Sequence, residues 1–226
     1  MTLISNKFEY RKLKRVEVDG KRRYDWGEGI PVPSVTTILD ATKDKTHIYE
    51  WRKRVGEQAA TQITTEAAGR GTRMHKYLED YIGTGVWPSP GSNPYAVQAH
   101  KMATRIRDEA LIDISEIWGS EVPLYVPQIY AGTTDLVGVY KGNQCILDFK
   151  QTNKPKKKEW IEDYYLQLTA YAIAHNEVHN TDIREGHIFM CSQDLIYQQF
   201  DLMPEDFDMW KEKWWARVYQ YYENYA

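Results

Sequence analysis

Asp148 and Lys150 stand two residues apart at the end of the apolar run Cys145-Ile146-Leu147, and Asp135 lies a strand's length upstream across the Lys141-Gly142-Asn143 turn. A two-residue loop at Lys141-Gly142 or at Gly142-Asn143 sets Asp135 opposite Asp148 or Lys150, with all three side chains on one face. Two carboxylates gathered on a sheet raise each other's pKa unless something positive lies between them. A divalent cation with oxygen ligands is the natural partner, and a lysine beside it can hold or deprotonate an attacking water. The D-x-K spacing is weak by itself: Asp19-Gly20-Lys21 also matches, but at a turn with no second acid one strand away.

The elements that must carry these residues follow from periodicity. Alternation from Phe8 to Val18, the Asp19-Gly20 turn and Arg22 to Trp26 predict an N-terminal hairpin. Ser34 is a plausible N-cap for a short helix through Asp40. Helical patterns cover Thr46 to Ala68 and Gly71 to Ile82, with a break near Gly69, and then Tyr95 to Leu111, with Pro94 at the helix start. Three strands follow, about Glu116 to Val126, Gln128 to Tyr140 and Gln144 to Lys150. A helix from Lys158 to His179 places Trp160, Tyr164, Gln167, Tyr171 and Ala174 on one face. Strands at Arg184 to Cys191 and Leu195 to Leu202 precede a C-terminal helix after Pro204, whose Phe207, Trp210, Trp214, Val218 and Tyr221 stripe reads as core packing.

Composition narrows the function classes. The chain of 226 residues is 42% hydrophobic, enough for a packed core. Its two cysteines, Cys145 and Cys191, lack C-x-x-C spacing, so a disulfide framework, a zinc site and an iron–sulfur cluster are not expected. No segment reaches the roughly 18 apolar residues of a membrane span, and Met1 to Asp19 has no secretory pattern. The expectation is a soluble, non-secreted protein in the cytoplasm of a bacterium or phage-infected host. With a net charge of -3, global attraction to polyanions is excluded, and any nucleic-acid site must be local. Lys154-Pro155-Lys156-Lys157-Lys158 is the candidate, and a solvated lysine loop is the plainer reading of that run alone.

The ordered set Gly71-x-x-x-His75, Glu121, Gly132-x-x-Asp135, Asp148-x-Lys150 and Gln167-x-x-x-Tyr171 resembles the RecB-type branch of the PD-(D/E)XK nuclease superfamily. With Pro33-Ser34-Val35-Thr36-Thr37-Ile38-Leu39 upstream and the lysine/proline segment after the motif, it is similar to the mitochondrial genome maintenance exonuclease subfamily and its phage and bacterial relatives. The resemblance covers Pro31 to Tyr222. It implies an α/β (α+β) restriction-endonuclease-like core of αβββαβ order, a mixed central sheet flanked by helices, with an N-terminal hairpin and a helical cap. One nuclease domain over 1–226 is expected: an accessory hairpin at 1–30, the cap and first core helix at 31–111, and the catalytic sheet and helices at 112–226.

By the same resemblance, Asp135, Asp148, the Phe149 carbonyl and His75 bind one or two Mg²⁺ or Mn²⁺ ions, Lys150 orients the water, Glu121 supports the site, and Gln167 and Tyr171 brace it. Read alone, His75 with Glu79 also fits an exposed helix pair, Glu121 a strand-edge charge, and Gln167 with Tyr171 packing on the sheet. DNA contacts are expected from Ser34, Thr36, Trp51, Arg52, Arg70, Arg73, Gln151, Thr152, Lys154, Lys156, Lys157 and Lys158. Many relatives carry Thr or Ser after the catalytic lysine, where this chain has Gln151. The implied activity is phosphodiester hydrolysis by a DNA exonuclease preferring single strands with free ends, in recombination, repair, replication or degradation. Two alternatives stay open: a structure-specific or restriction-like endonuclease, and a non-catalytic nucleic-acid-binding module of the same fold.

Overall fold

The computed structural model describes residues 4, 5 and 7–225. Strands β1 (Lys14–Val18) and β2 (Lys21–Asp25) pair through Asp19 and Gly20, both at positive φ (52° and 70°), the geometry that suits the right-handed twist of a tight hairpin. A short β3 (Val32–Pro33) completes a three-stranded sheet. The hairpin is shorter than the alternation suggested. Phe8 and Tyr10 leave the strand pattern and lie against Trp118 and His175, because aromatic rings on an amphipathic segment gain more from burial there than from continuing an edge strand.

Helix α1 (Val35–Thr42) starts where expected, with Ser34 Oγ accepting the Thr37 N–H at 2.9 Å. The next break is displaced. Helix α2 (Thr46–Val55) ends at Gly56, whose φ of 87° and ψ of 146° suit only glycine, and α3 (Glu57–Thr84) then runs unbroken through Gly69 and Gly71. Those two glycines stay helical because intrahelical hydrogen bonds outweigh their modest propensity cost. Helix α4 (Pro94–Ala110) is capped by Asn93.

Strands β4 (Ile114–Val126), β5 (Tyr130–Tyr140), β6 (Asn143–Thr152), β7 (Glu185–Ser192) and β8 (Tyr197–Leu202) form one sheet in that order. The sheet is antiparallel except between β6 and β7, which are parallel and joined by α5 (Glu162–His179). Helix α6 (Phe207–Asn224) closes the chain. Trp160 falls outside α5, in a 3-10 turn over Lys158–Trp160, because Ile161 adopts a non-helical conformation. The single face expected for α5 is also too narrow. It is buried almost all round, from Tyr165 and Leu166 to Ala172 and His175, since it is covered by the sheet, α1 and α6.

The sheet is covered on both faces. Ile146, Ile188 and Met190 pack with Val35, Leu168 and Trp214 on one side, while Leu147, Phe149 and Phe189 pack with Met74, Leu78 and Met102 on the other. Double coverage explains why β6 and β7 read as apolar runs rather than alternating strands. Among the described residues, no helix is long and apolar enough to cross a membrane.

Candidate active site

The β5–β6 turn uses the Lys141-Gly142 loop, with φ of 49° and 90°, so Tyr140 pairs with Asn143 and the ladder runs back to Leu136 and Leu147. One step further, this register sets Asp135 opposite Asp148. On the other side, the pairs Ser120–Leu136 and Val122–Thr134 bracket Glu121 opposite Asp135. Three acids therefore stand abreast on three neighbouring strands. Glu121 has a φ of 51°, a left-handed conformation that costs a non-glycine residue about 1–3 kcal/mol and re-aims its side chain.

The Asp135 carboxylate bridges two elements. Oδ2 accepts the Phe149 backbone N–H at 2.6 Å, taking over where the ladder stops, and Oδ1 lies 3.4 Å from His75 Nδ1 on α3. The ligand atoms of His75, Glu121 and Asp135 lie within 4.8 Å of one another. Asp148 is 3% exposed, and its Oδ2 is in an ion pair with Lys150 Nζ. The other side of Lys150 is organised: Nζ donates to Gln167 Oε1 at 3.1 Å and lies 5.1 Å from the centre of the Tyr164 ring. Gln167 Nε2 in turn donates to the Tyr171 hydroxyl at 3.4 Å.

Electrostatics follow from this crowding. Burial of its inner side, with Asp135 adding, pushes the Glu121 carboxyl up to about 7, although its outer side keeps solvent contact. Burial also raises Asp148, with Lys150 opposing the shift. Burial would raise Asp135 too, but His75 outweighs it and holds the carboxyl below its ordinary value. Lys150 and His75, which burial alone would discharge, are kept charged more readily by the acids beside them. The carboxylates of Glu121, Asp135 and Asp148 with the His75 imidazole form a donor set suited to a divalent metal ion.

Two cavities are lined by these residues and their neighbours. One, of about 470 Å³, is lined by Gly71, His75, Lys76, Glu79 and Glu121. The other, of about 630 Å³, is lined by Trp51, Trp160 and Tyr164 with Gln151, Lys154 and Lys156, and no acidic side chain lines it.

The remaining residues expected to meet a nucleic acid divide. Ser34 is 2% exposed and spends its hydroxyl on capping α1, so it presents no contact surface, while Thr36 is exposed. Arg52 pairs with Glu57 across the Gly56 bend, and the Arg73 guanidinium folds back over Gly69 on its own helix. Thr152 is 7% exposed and bonds the Lys154 carbonyl at 2.8 Å, which shapes the loop from within. Gln151 accepts from Arg70. Lys154, Lys157 and Lys158 are exposed, whereas Lys156 is half-buried, its backbone N–H and C=O both held by the Gln198 side-chain amide at 2.7 and 2.9 Å.

Two contributors were not among the expected site residues, Tyr164 and Gln198, and Gly132 stood in the motif without a stated role. Tyr164 had a signal, since it lies one turn before Gln167. Gln198 had none, because its role depends on β8 returning beside the lysine loop. At Gly132 a Cβ would lie 2.9 Å from the Tyr171 hydroxyl.

The chain and its fold have relatives among proteins named as exonucleases. The chain is similar to mitochondrial genome maintenance exonuclease 1 of Xenopus tropicalis, 28% identical over 208 residues, and of Mus musculus, 27% identical over 209. The matches cover 84% and 85% of this chain but only 57% and 60% of those proteins. The human protein of the same name is 25% identical over 220 residues, covering 85% of this chain and 59% of its own length. The fold is shared with the crystal structure of a Eubacterium rectale protein described as an inferred exonuclease, at a TM-score of 0.50 and 12% identity, covering 69% of this chain and 66% of that one. No family model matches the chain.

Proposed function

We propose that the chain is a metal-dependent DNA nuclease of the PD-(D/E)XK type, acting as an exonuclease on single-stranded ends. The observation that carries this reading is the convergence of Glu121, Asp135 and Asp148 on three adjacent strands, with His75 above them and Lys150 beside them. A magnesium or manganese ion held by Asp135, Asp148, His75, Glu121 and the Phe149 carbonyl would supply positive charge to a phosphodiester and acidity to a water. Within the chain's own machinery, Lys150 Nζ donates a hydrogen bond to the attacking water or to a phosphate oxygen. Gln167 fixes the direction of that ammonium, and Tyr171 fixes Gln167. The bond to the 3′ oxygen breaks, and the product carries a 5′-phosphate.

The preference for single strands rests on the 630 Å³ groove. Trp51, Trp160 and Tyr164 offer ring faces on which unpaired bases stack, and Lys154 and Lys156 offer charge to the backbone. Helix α2 and the first half of α3, which bury only Ala60 before Met74, project beside it as the cap. DNA substrates and exonuclease action also accord with the activity named for the curated relatives.

The test is a gel assay of end-labelled linear and circular single-stranded DNA with Mg²⁺, Mn²⁺ or EDTA, run beside Lys150→Ala. Loss of the linear substrate alone, abolished by EDTA and by the substitution, is the expected result. Cleavage of the circle identifies an endonuclease, and binding without metal-dependent cutting removes catalysis from the reading.

A further inference from the structure

Arg70 is a half-buried arginine without an acid. Its Nε donates to Gln151 Oε1 at 2.8 Å and an Nη2 proton goes to Asn153 Oδ1, so two of the five N–H groups of the guanidinium are spent on neutral amides. Among the described residues no carboxylate lies within ion-pair distance of it, and Glu66 acts only from further away. The fork is therefore fixed in direction, and its charge meets Glu66 only at a distance.

Its position gives that charge a use. Gln151 and Asn153 line the aromatic groove, and Gly71 and His75, the next residues on its own helix, line the acidic cavity. Helix α3 reaches the strand this closely because position 71 is glycine: a Cβ there would lie 3.2 Å from Gln151 Cγ. Arg70 thus stands on the ridge between the cavities, beside the strand end that carries Lys150. If its work were only to tie α3 to β6, a carboxylate at 151 or 153 would do it more strongly, since ionised acceptors bond arginine about twice as well as neutral ones. Amide acceptors hold the guanidinium without satisfying its charge, and the planar fork that remains matches two oxygens of one phosphate.

We propose that Arg70 is a phosphate clamp that grips a phosphodiester of the strand as it passes from the aromatic groove to the acids, and that Gln151 and Asn153 are the positioning residues that aim it. This rests on the nucleic-acid reading of the site. It also gives Gln151 a task of its own: where many relatives of the resembled branch have a hydroxyl, this chain has a side chain long enough to reach α3.

The experiment is a binding scan in EDTA, where no cutting occurs, with fluorescent single-stranded oligonucleotides that each carry one neutral methylphosphonate linkage. In the unsubstituted protein one or two linkages should weaken binding by about tenfold, the loss expected for a hydrogen-bonded charge. In Arg70→Gln the same linkages should cost nothing further, and Arg70→Lys should keep part of the effect. Gln151→Glu separates a clamp from a brace. A carboxylate would satisfy the arginine, so thermal stability should hold or rise while the methylphosphonate effect disappears. Equal methylphosphonate penalties in the unsubstituted protein, Arg70→Gln and Gln151→Glu would overturn the clamp and leave the nuclease reading standing. Failure of the unsubstituted protein both to bind any oligonucleotide in EDTA and to cut DNA with metal would remove the two readings together.

Discussion

The hydroxyl of Tyr171 fills the space that a side chain at Gly132 would need. A Cβ at that position would lie 2.8 Å from Tyr171 Cε1 and 2.9 Å from its hydroxyl. The two residues are linked by this contact to the base of the lysine: Tyr171 receives Gln167, and Gln167 receives Lys150.

Gly132→Ala is therefore expected to act twice. Overpacking against a fully buried ring should destabilise the fold by about 1–3 kcal/mol. The displaced tyrosine should also release Gln167, lowering the cleavage rate by about 10- to 100-fold, as for supporting groups that orient reactive ones. Thermal melting and single-turnover cleavage check the two effects, and an unchanged melting temperature with full activity would contradict the packing argument.

Metal binding should be visible without catalysis. An ion that binds only the folded state raises the melting temperature as its concentration passes the dissociation constant. Mn²⁺ should stabilise the unsubstituted protein and leave Asp135→Asn nearly unmoved. In metal-free buffer the substitution should lower stability modestly, because His75, Lys150 and the Phe149 N–H favour the ionised Asp135 carboxylate in the folded state. Equal Mn²⁺ shifts in both proteins would place the ion elsewhere.

His175 predicts a loss of stability in acid. Burial pushes its imidazole down to about 3, with His179 adding, while Tyr10 and Thr181 engage its two nitrogens. The unfolded chain takes up the proton near about 6.5. Between those values the unfolded state binds more protons, so this contribution is complete above about 6.5 and is lost as the pH falls toward 3. Urea midpoints at neutral pH and at about pH 4.5 should differ more in the unsubstituted protein than in His175→Gln. Matching differences would mean that other groups govern the acid limb.

Gln198→Leu should weaken binding of single-stranded DNA by several-fold with little change in melting temperature, since it frees the backbone of Lys156 at a surface loop. Anisotropy titrations of labelled oligonucleotides measure it. A large thermal loss with unaltered binding would make Gln198 a fold residue instead.

The legible part of this molecule was the part with local rules. The Lys141-Gly142-Asn143 turn and the two-residue period put Asp135, Asp148 and Lys150 on one face and narrowed the register to two, of which the structure takes the one facing Asp135 with Asp148, and Ser34 announced its helix. What stayed hidden depended on distant chain segments. The break at Gly56 rather than Gly69 follows from Gly56's φ of 87° and ψ of 146°, which no residue type displays in advance. Ser34, expected both as the cap of α1 and, by resemblance, as a contact residue, is 2% exposed with its hydroxyl on the cap. The burial of α5 on nearly every side required knowing that α1 and α6 return to cover it.

Helix α2 buries none of its residues and begins at Lys45 without a side-chain cap. Its apolar contacts with the body come from the half-buried Ile48, Trp51 and Val55, so only a small share of the protein's cooperative stability passes through it. Amide exchange along 46–55 should thus be fast while β6 and β7 remain protected. An opening of the wall that carries Trp51 would leave the sheet and its acids in place, so a strand entering sideways there would not disturb them.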